Sequence, residues 1–203
     1  MKACRSHLVF VLGSWLLGWV LSAPPAFAGV LVSEIMYHPA SEDVRDEFLE
    51  LHNAGSSPVD LEGWRLEGGI DFVFSPAVLP GGGYLVVAAD ADVFRARNPS
   101  VTNVVGSWTG RLSNRANTVE ILDASGRTVN RIRYADDGDW ADRIRDAVDS
   151  GHRGWTWYSA ADGGGRSLEL VNPHMPNTCG QNWRPSANPL GTPGQPNSVA
   201  ATN

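Results

Sequence analysis

Short apolar or alternating runs recur along this chain, each closed by glycine, proline, asparagine or aspartate. Val30–Tyr37 is apolar and β-branched and stops at His38-Pro39. Glu47–Asn53 alternates, which puts Leu49 and Leu51 on one face of a strand and Glu50 and His52 on the other. Ala54–Pro58 reads as a turn, followed by short strands around Leu61, Trp64–Leu66 and Phe72–Phe74. Pro80–Gly83 leads into Tyr84–Ala88, a run suited to a strand buried on both faces. Thr118–Leu122 and Val129–Tyr134 flank the hairpin turn Asp123-Ala124-Ser125-Gly126, and Ser167–Val171 is a further run. Strands this short and this evenly spaced predict an all-β sandwich or barrel.

Two interruptions read as helical. Asp90 can cap a short turn through Val93 and Phe94 that ends before Pro99. Asp139 can cap a longer inserted helix, with Trp140, Ile144, Ala147 and Val148 at helical spacing and Gly151 closing it. Pro185–Asn203 is rich in Pro, Gly, Asn and Ser and reads as an edge segment passing into a linker.

The N-terminus has a different character. Lys2 and Arg5 precede the apolar stretch Leu8–Leu21, and Ala26-Phe27-Ala28 is a small-x-small cleavage pattern. The apolar stretch is too short for the roughly 20 residues that span a bilayer, and Pro24-Pro25 ends it. Residues 1–28 are therefore expected to be a signal peptide cut after Ala28, giving a secreted, cell-surface or periplasmic protein with no transmembrane segment in its mature chain.

Composition sharpens this. The 203 residues carry 16 basic and 22 acidic side chains, a formal charge of -6. Cleavage removes two cations and no acid, leaving -8. The one lysine, Lys2, leaves with the signal, so the mature chain has no Walker-type lysine, Schiff-base lysine or Ser-Lys dyad. Its negative charge argues against a non-specific grip on nucleic acid. Cys179 becomes the sole cysteine, which excludes an internal disulfide, and burial is its expected fate.

In order, Ser33–Tyr37, Glu47–Asn53, Val59–Leu66, Leu79–Val87, Leu112–Asn114, Ile121–Asp123, Ser167–Leu170 and the closing Gly191–Asn197 resemble the lamin tail domain of bacterial secreted proteins. The resemblance implies an immunoglobulin-like β-sandwich over residues 29–197, to which the spacing after Asp139 adds one short inserted helix, with 198–203 as a tail or linker. It implies a binding or structural module and no enzyme: protein–protein or cell-envelope attachment, or an accessory domain targeting a larger secreted enzyme such as a hydrolase or spore-coat kinase-like protein. Related domains in nuclear lamins contact proteins and DNA, but a chain at -8 shows no basic surface for DNA. Residues 138–157 form a longer connection than that family usually shows.

Candidate chemistry is sparse. Asp136, Asp137 and Asp139 form the strongest acidic cluster, and calcium is the only cofactor they suggest. Their spacing is not that of an EF-hand, and helix capping with Asp139–Arg143 and Asp142–Arg145 pairs explains most of the cluster. His38, His52, Glu34 and Glu50 suggest zinc, but they lack ligand spacing and read better as surface polar residues on paired strands. There is no Gly-x-Ser-x-Gly elbow, and Asp162–Arg166 reads as a turn rather than a phosphate loop. Trp155, Trp157 and Tyr158 are the candidate binding residues, suited to sugar rings or a protein partner. Against this stands a structural role, in which the two tryptophans close one end of the sandwich against Trp140.

Overall fold

The computed structural model describes residues 29–201; the expected signal peptide lies outside the described residues. In chain order the strands are β1 (Val30–Met36), β2 (Phe48–Asn53), β3 (Val59–Asp60), β4 (Arg65–Gly68), β5 (Ile70–Val73), β6 (Val78–Leu79) and β7 (Tyr84–Ala88). Helix α1 (Ala91–Arg97) follows, then β8 (Val104–Gly106), β9 (Thr109–Gly110), β10 (Ala116–Leu122) and β11 (Thr128–Ala135). The last four are β12 (Asp142–Arg145), β13 (Trp155–Tyr158), β14 (Leu168–Leu170) and β15 (Trp183–Pro185).

Two main sheets form, one in the order β15-β14-β1-β2-β7-β8 and one in the order β11-β10-β4-β5-β9, with β3-β6 and β12-β13 as separate two-stranded ribbons. The chain is an all-β sandwich, as the periodicity predicted. Val32, Ile35, Leu49, Leu51, Val87 and Leu168 of the first sheet share one buried cluster with Leu66, Ile70, Val119, Ile121 and Ile132 of the second. Burial of this apolar area is the main stabilising contribution, at about 25 cal/mol per Å².

The first sheet is covered on its other face too. Met36, Phe48, Val86 and Ala88 form a second cluster with Phe94 of α1 and Val104, so Tyr84–Ala88 is indeed buried on both sides. Asp90 caps α1 as expected, its carboxylate accepting from the N–H groups of Asp92 and Val93. Replacing Asp90 by Ala should cost about 1 kcal/mol, the usual worth of such a cap, and a denaturant melt would read it.

Beyond α1 the same face carries a row of acids. Strand register sets Glu34 opposite Glu169 on one side and opposite Glu50 on the other, and all three are fully buried. Glu34 and Glu50 are thus core residues, not the surface polar pair expected from sequence. Residues 191–199 lie over the row as a strap. The Thr192 N–H donates to Glu34, the Gly194 N–H to Glu50, and the Val199 N–H and the hydroxyls of Thr192 and Ser198 to Glu169. The amide of Asn197 donates to the carbonyls of Ser33 and Leu170. The segment expected to run out as a linker is therefore fastened to the sheet, and its contacts continue past Asn197.

No cation neutralises these acids among the described ion pairs. Burial pushes Glu34 up to about 8, against the lowering effect of bonds from Ser167 and Thr192. Burial and then the neighbouring Glu34 push Glu50 up to about 9. Both carboxyls hold their protons near neutrality. That resolves the cost of burying like charges side by side.

Candidate functional site

The longer connection after β11 is a β-hairpin, not the inserted helix that the spacing of Trp140, Ile144, Ala147 and Val148 suggested. Only a single 3-10 turn, Gly138–Trp140, forms at its start, and the residue before it, Asp137, makes no side-chain cap bond. At the tip, Ser150 and Gly151 both take positive φ (48° and 83°), as a tight two-residue turn requires. Asp149 and His152 exchange backbone hydrogen bonds across that turn. Register then pairs Arg143 with Trp157 and Arg145 with Trp155.

Two physical reasons favour the strands. The β-prone Trp-Thr-Trp-Tyr run supplies a partner strand. The proposed helix would also have had no core to pack on, since Ile144 and Val148 remain exposed. The Asp139–Arg143 and Asp142–Arg145 pairs are not among the ion pairs formed; both arginines instead lie over the ring of Trp155, at 4.5 and 5.1 Å from its centroid.

Every residue from Asp142 to Tyr158 is exposed. Trp155, Trp157 and Tyr158 retain 49%, 47% and 54% of their surface, so the tryptophans do not close the sandwich against Trp140. Trp140 packs on the buried Trp183 instead, with ring centroids 5.8 Å apart. Between the hairpin and the β10–β11 edge lies an open cleft of about 760 Å³, lined by Arg115, Arg133, Asp136, Asp137, Trp140 and Trp157 among others.

Two of the three candidate calcium ligands, Asp136 and Asp137, sit in this cleft, while the backbone of Asp139 packs against Gly180. Among the described residues no group of three or more His, Cys, Asp or Glu is arranged to hold a metal ion. Burial, helped by Asp162 and Asp137, raises Asp136 above the usual carboxylate range.

The histidines are separated as well. His52 stacks on Tyr84 with centroids 4.4 Å apart, and its Nδ1 is 3.1 Å from the Gly83 carbonyl. Burial lowers its pKa, so it sits neutral, with an Nδ1–H that donates to that carbonyl.

His38 is clamped between two acids. Nδ1 lies 2.5 Å from Asp162 and Nε2 lies 3.1 Å from Glu42. Burial pulls its pKa down, but these bonds win and hold it above its ordinary value. A second cleft of about 410 Å³ opens beside it, lined also by Arg111, Arg115 and Glu47. Burial raises Glu47 to about 7, although Leu112 N–H donates to it. The Asp162 partner, 124 residues away in sequence, was invisible to local pattern reading.

Cys179 is exposed, contrary to the burial expected for a lone thiol. It follows buried Asn177 in the loop leading to the short 3-10 turn Gly180–Asn182, where backbone and side-chain bonds, not packing of the thiol, fix the chain.

With this geometry established, comparison with known protein families matches residues 23–136 to the Lamin Tail Domain, more than half of the chain. The chain belongs to the lamin tail domain family. No curated protein matches it significantly. The family match agrees with the sandwich and with the sequence resemblance. It ends at Asp136, so the hairpin lies beyond the matched residues of this lamin tail domain. β14 and β15 also lie beyond it, yet they complete the first sheet, and the strap beyond them covers that sheet's acids. Among the described residues, no helix is long and apolar enough to cross a membrane.

Proposed function

We propose that this lamin tail domain is a secreted, non-enzymatic attachment module that grips a cell-envelope partner with its β12–β13 hairpin. The observation that carries the reading is the exposure of Ile144, Val148, Trp155, Trp157 and Tyr158 together on one projecting element. Scattered apolar residues on a surface need no explanation, but a short hairpin with two half-bare tryptophans on one face and Ile144 and Tyr158 on the other fits a contact element. Arg143 and Arg145, laid over Trp155, brace the two strands against each other, which leaves Trp157 to meet a partner at little cost in side-chain entropy. The export signal would bring the module to such a partner.

The test is co-sedimentation of the full-length chain with isolated envelopes of the producing cell. A variant with residues 142–158 replaced by a short Gly-Ser loop should stay in the supernatant while keeping the wild-type melting temperature. Equal sedimentation of the two would remove the hairpin as the contact surface.

A further inference from the structure

We infer that the cleft between the hairpin and the β10–β11 edge binds a neutral oligosaccharide of β-linked hexopyranose rings. This names the chemistry of the partner and rests on the attachment reading above.

Most charged groups of the cleft are unspent. Arg115 and Arg133 share it with Asp136, Asp137 and Asp162; Asp162 is taken up by His38, while the other four side chains enter no described ion pair. Donors and acceptors thus face the same space without satisfying one another. A site of this size, with a few convergent polar groups and aromatic walls, is the usual form of a small-ligand pocket.

Charge decides the class of occupant. An anion drawn by the two guanidinium groups meets the carboxylates, and a cation drawn by the carboxylates meets the arginines, so an ion of either sign gains little. A hydroxyl both donates and accepts, and can pair with both kinds of group at once. A polyol alone would not use the aromatic walls. A pyranose ring with equatorial substituents presents hydroxyls at its rim and an apolar C–H face, and the indole of Trp157 offers a flat partner for that face.

The two hairpin tryptophans have different roles on this geometry. Trp155 is already covered by Arg143 and Arg145 and does not line the cleft, whereas Trp157 does. Trp140, backed by Trp183, forms a second, half-buried wall.

Isothermal titration of the full-length chain with cellohexaose and with chitohexaose tests this. At least one should bind saturably, equally at low and high salt. Trp157→Ala should weaken binding by at least about tenfold, and Trp155→Ala by no more than about twofold. Absence of saturable binding to both sugars overturns the inference, as does affinity that Trp157→Ala leaves intact. Salt-sensitive binding of polygalacturonate in place of the neutral sugars overturns the neutral class. Envelope sedimentation that needs the hairpin but persists in excess hexasaccharide overturns the sugar while the attachment reading survives; sedimentation that ignores the hairpin overturns that reading itself.

Discussion

Deleting residues 191–203 is expected to lower the melting temperature by roughly 6–12 °C, the shift that a loss of about 3 kcal/mol produces in a domain of this size. The strap donates three backbone N–H groups and two hydroxyls to Glu34, Glu50 and Glu169, and the Asn197 amide ties it to two strand carbonyls. Net contributions of such bonds run at about 1 kcal/mol each, and a few therefore account for the estimate. Without the strap Glu34 and Glu50 become solvated and ionised while still directly opposite one another in register, which is destabilising in a sheet.

A single change probes the same contact. Gly191 has φ of 85°, and a Cβ added there would sit 2.0 Å from a Glu34 oxygen and 2.5 Å from the Ser167 hydroxyl. Gly191→Ala should therefore shift the melt in the same direction. If both variants melt with the wild type in calorimetry, the strap does not hold the sheet.

Raising the pH from about 5 to about 9 should steadily lower the melting temperature. Glu34 is held up to about 8 and Glu50 up to about 9, burial being the first cause in each case, with mutual repulsion adding to Glu50. Above their ordinary carboxylate range the unfolded chain has released these protons while the folded chain retains them. The folded state binds more protons in that window, so stability falls as pH rises. Their contribution is complete below the unfolded values and is lost as pH passes through 8 to 9. Glu47, raised to about 7, and His38, held above its ordinary value by Asp162 and Glu42 despite burial, act in the same direction. The variant Glu34→Gln/Glu50→Gln should show a flatter profile, because its amides cannot ionise. A wild-type melting temperature that stays level or rises over this range would mean that the acids are charged in the folded chain.

The strand pattern was legible in the sequence because period-two alternation needs no distant partner. Leu49 and Leu51 against Glu50 and His52, the two-sided burial of Tyr84–Ala88, the Asp90 cap and the Asp123–Gly126 turn all follow from neighbours within a few residues. The family was readable too, from motifs spread along the chain in a consistent order.

Tertiary structure decided the rest. The helical spacing over 140–148 was real, but spacing makes a helix only when its apolar face has somewhere to go. Here Ile144 and Val148 find no core, and cross-strand contacts with Trp155 and Trp157 take over. The polar residues Glu34 and Glu50 looked like surface because alternation marks a second face without saying what covers it. That cover is a strap more than 140 residues away. The sequence by itself determined a chain of alternating strands and its family. Pairing across those distances determined which acids are buried, which tryptophan lines the cleft and where that cleft opens, because contacts distant in sequence leave no local period to read.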